Sequence, residues 1–491
     1  MAKARLTGWR RPGLAFALGA VAALGQAPLG FWWATLAGLV GLVWLLEQVP
    51  DRRGAFLVGL AAGTGYFALA LSWIVEPFLI DVAQHGWMAP FAVVFLSSGL
   101  GLFWGAAALL ARLVPQRALG FVAAFVALEW LREGILTGFP WAMIGHVWIG
   151  TPIDQIAALA GPSGLGLLTL VVAALPVIWR VRGAVAGLAL LGLALGFGLW
   201  RLSQPMPPDR EATIRLVQPA ADQSLKWDEA LAETFLNRLL SLTAEGDPAD
   251  LTIWPETAVP YMLEYAPSVA DMISVASNGK LVAAGIQREE DGRFYNSLRF
   301  LEGKGVERAR YDKAHLVPFG EYIPFGDLAY DWFGITAFAA QAGATYSAGA
   351  GPDVIDLGPL GKVLPLICYE VIFPREVNAA PERADWMLQI TNDAWFGVWT
   401  GPFQHFAQAR LRAIEQGLPL IRVANTGVTA VVDVHGRVVE ELPFGTMAAL
   451  DIRVPGALPP TPYARWGDGP LALLLAGLAA VAFNRRRQAA H

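Results

Sequence analysis

Cysteine is almost absent from this chain: Cys368 is the single one among 491 residues. One thiol excludes an intrachain disulfide and any zinc or iron–sulfur site built on cysteine. What remains for it is the role of reactive nucleophile, of small buried hydrophobe, or of intermolecular partner. Histidine is scarce as well, with six in the chain, none in an HExxH or paired spacing, so no metal site is expected. A basic excess is missing too. The net charge is −5 and the pI near 5.8, which argues against nucleic acid as a partner, because phosphate binding requires a basic surface. Neither a Walker-type glycine loop nor a GxGxxG after a strand is present, and no cofactor is expected.

Charge of either sign is thin, at 16% of residues against 55% hydrophobic, with a mean hydropathy of +0.45. That is too apolar for a soluble globule and too charged for a pure membrane bundle, so the chain should be a hybrid. Long apolar runs are confined to residues 12 to about 202 and to the last twenty or so. A membrane-spanning helix needs about 20 mostly apolar residues to cross roughly 30 Å of hydrocarbon. That ruler predicts spans near 12–28, 31–48, 54–75, 89–113, 117–135, 163–179, 184–201 and 469–484. The first follows Lys3, Arg5, Arg10 and Arg11 but lacks a small-residue cleavage site before a soluble domain, so it reads as an uncleaved helix. The expected division is a membrane domain over 1–205, a soluble domain over 210–456, and a terminal helix and tail over 466–491.

Loop charges predict the orientation. The basic amino terminus, Arg52-Arg53, the stretch from Arg112 to Arg117, the Arg180/Arg182 pair and Arg485-Arg486-Arg487 all fall on one side. The opposite connections, 76–88 and 136–162, hold no Lys or Arg. The large block between the seventh and eighth spans is therefore expected outside the cytoplasm, in the periplasm of a cell with two membranes. A lone thiol there escapes an internal disulfide. Glu129, Trp130, Arg132 and Glu133 end the fifth span, and Phe139-Pro140-Trp141 and His146 follow in the next loop. Those aromatics are expected as interfacial anchors, the alternative being the floor of a lipid-facing site. Few polar residues lie deep in the spans and no paired acidic and basic series runs through them, which disfavours a transporter.

From about residue 210 the hydrophobic period changes. Short β-rich runs occur at 212–218, 251–255, 281–287, 296–301, 363–368, 386–391, 419–424 and 428–434, with helix-like stretches at 228–244 and 403–416. The alternation predicts a layered α/β fold with active residues at strand ends. The stretch 321–350 has no regular period and is dense in aromatics, among them Tyr322, Phe325, Tyr330, Trp332, Phe333, Phe338 and Tyr346. Next to a bilayer such a loop suits lipid contact or cover for a hydrophobic substrate.

Three segments each offer one reactive side chain. Thr252-Ile253-Trp254-Pro255-Glu256 puts a carboxylate after an apolar strand, Tyr311-Asp312-Lys313-Ala314-His315 offers an ammonium, and Leu366-Ile367-Cys368-Tyr369-Glu370 offers the thiol. Glu, Lys and Cys together suffice for acyl transfer: the thiolate attacks a carbonyl, Glu takes and returns protons, and Lys stabilises the oxyanion and helps keep the thiol ionised. His315 and His405 offer a competing Cys–His scheme, ranked lower because His405 lies on a predicted helix and His315 shares a segment with Lys313.

These segments closely resemble the carbon–nitrogen hydrolase (nitrilase) superfamily over about residues 212–453. The resemblance implies an αββα sandwich with Glu256 as general base, Lys313 as oxyanion stabiliser and Cys368 as nucleophile. It implies Glu321 as a second, supporting glutamate and the Tyr369 N–H as a second oxyanion donor. Glu370, adjoining the nucleophile, is a candidate for positioning Lys313 or an acceptor amine. With eight spans in a seven-plus-one arrangement, the whole chain resembles the bacterial apolipoprotein N-acyltransferase family. Thr137-Gly138-Phe139-Pro140-Trp141, Gln218-Pro219, Ser224-Leu225-Lys226-Trp227 and Thr391-Asn392-Asp393-Ala394-Trp395-Phe396-Gly397 fit it too. The resemblance implies an acyl chain moved from a phospholipid, phosphatidylethanolamine being expected, through a thioester to the α-amine of the diacylglyceryl cysteine of an apolipoprotein. It implies a multi-pass protein of the bacterial inner membrane. A hydrolase that passes the thioester to water would use the same residues. Candidates for substrate contact are Trp227, Tyr330, Trp332, Phe333, Trp395 and Trp399, with core packing or membrane anchoring as the alternative.

Overall fold

The computed structural model describes residues 9–222, 225, 229–324 and 345–484. The chain divides into two compact units, one comprising 1–204, 396–411 and 460–491, the other 205–395 and 412–459.

The first unit is helical. Its longer helices are Arg10–Ala23, Trp32–Glu47, Arg52–Ala70, Ala89–Leu110, Arg117–Arg132, Ala157–Leu202 and Gly469–Phe483. Among the described residues three stretches are long and apolar enough to cross a membrane, Arg52–Ala70, Val82–Leu113 and Pro152–Leu202; Trp32–Glu47 and Gly469–Phe483 are apolar but shorter. The Ala157–Leu202 run would measure roughly 70 Å if straight, more than twice a bilayer core. It breaks at Trp179 and Arg180, whose φ of −122° and +50° leave the helical region. Beyond the break Gly183 lies against Leu175, Gly187 against Val172 and Gly198 against the Pro152 carbonyl, so the run folds into two antiparallel arms. Elsewhere glycine sets the helix spacing. A Cβ at Gly65 would overlap the Phe16 carbonyl, and one at Gly59 the Trp104 carbonyl, so these backbones approach as only small residues permit.

The 139–148 segment differs from its expected role. Trp141, His146 and Trp148 are buried within the protein and are not exposed as lipid-facing anchors would be. An anchor needs its polar edge in the headgroup region, whereas here the Trp141 N–H donates to Gln404 Oε1 at 2.8 Å and the Trp148 N–H to Thr169 Oγ1 at 2.7 Å. Buried polar side chains are also more numerous than the apolar spans suggest. Arg132 donates to the Trp141 carbonyl at 2.9 Å, Tyr66 to that of Ala142 at 3.1 Å and Gln26 to that of Met143 at 2.9 Å, while Glu129 accepts from the Ile144 N–H at 3.0 Å. They satisfy a non-helical backbone that apolar surroundings would otherwise leave unpaired.

The second unit holds two six-stranded sheets. Its strands are β1 (Thr213–Gln218), β2 (Leu251–Ile253), β3 (Leu281–Glu290), β4 (Arg293–Glu302), β5 (Val306–Asp312), β6 (Ile355–Asp356), β7 (Lys362–Ile367), β8 (Trp386–Thr391), β9 (Leu420–Ala424), β10 (Ala430–Val432), β11 (Val438–Glu441) and β12 (Ala448–Arg453). One sheet runs β12-β1-β2-β3-β4-β5 and the other β11-β10-β9-β8-β7-β6. β1, β2 and β3 are parallel neighbours, as are β7, β8 and β9; the flanking pairs are antiparallel. The parallel strands β8 and β9 are buried throughout, which is why they read as unbroken apolar runs. Val217, Trp254, Val259, Ile286, Leu239 and Ile273 belong to one core cluster. All eight β-rich runs contain a strand. The short or charge-bearing β5, β6, β11 and β12 carry no such run.

Candidate active site

Glu256 lies just past β2. The Trp254 N–H donates to the Ala283 carbonyl and the Ala258 N–H to that of Gly285, both at 2.8 Å, so β3 laces down the segment carrying the carboxylate. Gly285 permits this: a Cβ there would overlap the Pro255 carbonyl and Glu256 Cα. Lys313 follows β5 directly, its N–H donating to the Asn296 carbonyl at 2.9 Å. Cys368 follows β7 and opens a short 3₁₀ turn with φ of +52°, a left-handed conformation that costs a residue with a side chain about 1 kcal/mol or more. The neighbours hold it there. Glu370 Oε2 accepts from the Ile367 N–H at 2.7 Å, and Gln389 Nε2 donates to the Cys368 carbonyl at 3.1 Å.

The side chains converge in a buried site, with Cys368, Glu256, Lys313, Glu321 and Glu370 each no more than 6% exposed. Lys313 Nζ donates to Glu321 Oε1 at 2.9 Å and lies 3.4 Å from Glu256 Oε1. Asn296 Nδ2 bridges the same two oxygens at 2.7 Å to Glu256 and 3.0 Å to Glu321. The second oxygens are held as well, Glu256 Oε2 by the Asn392 N–H at 2.9 Å and Glu321 Oε2 by the Val317 N–H at 2.8 Å. Burial disfavours the Lys313 ammonium, but the Glu321 and Glu256 carboxylates outweigh it and push its pKa up, so the ammonium persists.

Burial pushes Cys368 well above its ordinary value, the Glu256 carboxylate adds to this, and Lys313 pulls back too weakly to offset them. The Glu256 carboxylate acts on the thiol electrostatically and is chemically suited to receive a proton from it. Glu370 accepts from Tyr311 Oη at 2.8 Å, from the Ala314 and His315 N–H groups at 2.7 and 3.2 Å, and from Ile367, tying the cysteine turn to the segment bearing Lys313. Burial raises its pKa to about 7, with those donors pulling the other way.

The Tyr369 ring packs edge-on against His315 and Phe373. The His315 imidazole sits 2.6 Å from Glu376 Oε1 and stacks on Phe373, while His405 stacks on Trp141 within the helical unit. Trp395 is half-buried and Trp399 is exposed. Trp227, Tyr330, Trp332 and Phe333 lie outside the described residues. Among the described residues no group of three His, Cys, Asp or Glu side chains is placed to hold a metal ion. Sequence reasoning singles out neither Asn296 nor Arg422, and names Thr391 only within the stretch from Thr391 to Gly397. The available signals are an asparagine inside the apolar run of β4 and an arginine inside that of β9.

Residues 18–175 match the family described as apolipoprotein N-acyltransferase N-terminal domain, and residues 202–457 the carbon–nitrogen hydrolase family. The apolipoprotein N-acyltransferase of Allorhizobium ampelinum is 42% identical over 464 residues, covering 88% of each chain. The Caulobacter vibrioides protein of the same name is 41% identical, covering 94% of this chain and 92% of its own.

This chain belongs to the apolipoprotein N-acyltransferase family.

Helices long and apolar enough to cross a membrane precede its carbon–nitrogen hydrolase domain. Among solved structures, a carbon–nitrogen hydrolase superfamily protein from Xanthomonas campestris is 20% identical with a TM-score of 0.37, covering 50% of this chain and 91% of its own.

Proposed function

We propose that this chain is an apolipoprotein N-acyltransferase working through a thioester on Cys368. The observation that carries the reading is the convergence of Glu256, Lys313 and Glu321, with Asn296 between the carboxylates, beside a buried thiol on a left-handed turn. Glu256 takes the thiol proton as sulfur attacks the acyl ester carbonyl of a phospholipid, phosphatidylethanolamine being the expected donor. The Lys313 ammonium and the Tyr369 N–H stabilise the oxyanion. Its collapse releases a lysophospholipid whose alkoxide recovers the proton from Glu256. The α-amine of a diacylglyceryl-cysteine apolipoprotein then gives a proton to Glu256 and attacks the thioester. The thiolate leaves and is reprotonated. Glu321 holds Lys313 in place, and Glu370 holds the cysteine turn. Trp227, Tyr330, Trp332, Phe333, Trp395 and Trp399 are proposed contacts for the acyl chains.

The proposal includes eight membrane spans, a membrane part over 1–205, a catalytic domain over 210–456 on the periplasmic side, and a terminal helix and tail over 466–491. Donor and acceptor both sit in the outer leaflet in this arrangement. Intact-mass spectrometry after incubation with phosphatidylethanolamine, followed by a diacylglyceryl-cysteine peptide, tests it. An acyl-sized adduct on Cys368 that moves to the peptide amine is expected. An adduct lost equally fast to water indicates a hydrolase instead, and no adduct removes Cys368 from the reaction.

A further inference from the structure

The tripeptide Thr391-Asn392-Asp393, where β8 ends, touches both reacting groups of the site. The Asn392 N–H holds Glu256 Oε2 at 2.9 Å. The Thr391 hydroxyl donates to Asp393 Oδ1 at 3.0 Å, and the parallel β7–β8 register that pairs Ile367 with Ile390 carries Thr391 alongside Cys368, whose ionised form its hydroxyl favours. Behind the tripeptide stands Arg422 of β9, whose guanidinium pairs with Asp393 Oδ2 and donates to Gln389 Oε1 and to the Val428 carbonyl, the last at 3.1 Å. Gln389 lies opposite Arg422 in the β8–β9 register and passes the contact on, its Nε2 donating to the Cys368 carbonyl. Asn392 is held from the same side, its Oδ1 accepting from Asn425 Nδ2 at 3.1 Å. Gly427 closes over the pair, since a Cβ there would overlap the Asp393 carboxylate.

Thr391, Asp393, Gln389 and Arg422 are all essentially inaccessible. An ion pair so deeply buried loses hydration that mutual attraction scarcely returns, so it is a poor device for stability alone. It does fix geometry, because each partner is held by a further contact, Asp393 by Thr391 and Arg422 by Gln389 and the Val428 carbonyl.

We infer that Thr391 is a positioning residue of the acylation step, held in place by Asp393 and Arg422. A hydroxyl has one proton to give. While Cys368 is protonated, Thr391 gives that proton to Asp393 and accepts from the thiol. When the thiol proton passes to the Glu256 carboxylate, the Thr391 O–H turns to the sulfur anion, and Asp393 remains ionised against Arg422. Sulfur loses one proton, Glu256 gains one, and no other bond changes. The thiolate thereby gains a donor from β8 in addition to the Lys313 ammonium.

This inference deepens the reading of Cys368 as nucleophile, and its test separates the two. Thr391→Ser and Thr391→Ala both lose the methyl group, and only serine keeps the hydroxyl. Two readouts are taken on the full-length protein in detergent: acyl-adduct formation from phosphatidylethanolamine, and the pH profile of alkylation by iodoacetamide, which reports Cys368 alone. A hydrogen bond to an ionised group is worth about a factor of ten or more, so Thr391→Ala should slow acylation by about tenfold or more and raise the alkylation midpoint by about one pH unit. Thr391→Ser should stay within about threefold of the natural protein in both. Should the alanine variant not be recovered folded, Thr391→Val, which keeps the volume and the β-branch, takes its place. Equal behaviour of the variants with and without the hydroxyl overturns the inference. Failure of the nucleophile reading looks different: the natural protein forms no acyl adduct, while the alkylation profiles still separate.

Discussion

At the residue scale the site works by leaving few groups free to choose. Both oxygens of Glu256 are occupied by donors, so Glu256→Gln keeps the shape, forces an amide N–H₂ against one of them and removes the base. Thioester formation, followed by intact mass, should fall by about 10²–10⁴-fold. Lys313→Met removes the cation shared by two buried carboxylates and should cost about 10²–10³-fold through the oxyanion. A normal acylation rate in either variant contradicts the assigned roles. Glu370 makes a pH prediction. Its folded pKa of about 7 lies above the ordinary 4.5, so between those values the folded state binds more protons than the unfolded state. Its contribution is fully present below about pH 4.5 and is lost as pH rises through about 7, with an upper bound near 3 kcal/mol. Thermal midpoints measured from pH 5 to pH 8 should fall more steeply for the natural protein than for Glu370→Gln, and parallel slopes contradict the argument. Glu256, Lys313 and Cys368 were legible because each sits in a distinctive segment. Asn296 and Arg422 were not, and Thr391 showed only as part of a longer stretch, since their contacts depend on partners 25 to 40 residues away in sequence or on the next strand.

At the element scale the proposed chemistry depends on how strands end. β2, β5 and β7 each deliver a reactive side chain within a few residues of their last hydrogen-bonded position, and the parallel pairing of β7 with β8 brings Thr391 to Cys368. The central strands announced themselves as apolar runs because helices or the facing sheet cover them. β5 alternates exposed and half-buried residues, and β11 is almost wholly exposed, so neither offers the signal on which hydrophobic pattern depends. Gly285 sits inside such a legible run, yet its purpose shows only in three dimensions. Gly285→Ala would drive a methyl group into the Pro255 carbonyl and Glu256 Cα, displacing the carboxylate without touching its chemistry. Misplacement on this scale costs about 10²-fold, so acylation should fall that far while Cys368 alkylation keeps its pH profile. A variant with unchanged acylation would show that the 255–256 segment yields without cost.

At the scale of the whole molecule the sequence divides by composition, and the boundary is less simple than composition suggests. Residues 396–411, read from sequence as part of the soluble α/β block, cluster with the helical unit, where Gln404 accepts from the indole N–H groups of Trp73 at 3.2 Å and Trp141 at 2.8 Å. No hydrophobic pattern could report this, because the helix Gly401–Gln416 has the amphipathic sequence of a surface helix yet is buried almost throughout, and the partners of Gln404 lie more than 250 residues away. The break at Trp179–Arg180, by contrast, was legible from the charge pair Arg180/Arg182 alone, since two arginines in the middle of a 46-residue apolar run are tolerable only at a membrane surface. That same pair carries the orientation. If Arg180/Arg182, Arg52-Arg53 and Arg485-Arg486-Arg487 mark the cytoplasmic face, the Lys- and Arg-free connections 76–88 and 136–162 lie opposite, as does the chain after residue 202. Alkaline phosphatase inserted near residue 205 should then be active in intact cells, and a fluorescent protein fused after residue 491 should mature in the cytoplasm. Replacing Arg180 and Arg182 with Gln weakens the retention signal between the two arms and should lower the phosphatase signal of the insertion. An inactive phosphatase at 205 in the natural sequence would place the thiol on the cytoplasmic side, away from an outer-leaflet donor, and with it the proposed substrate arrangement would fail.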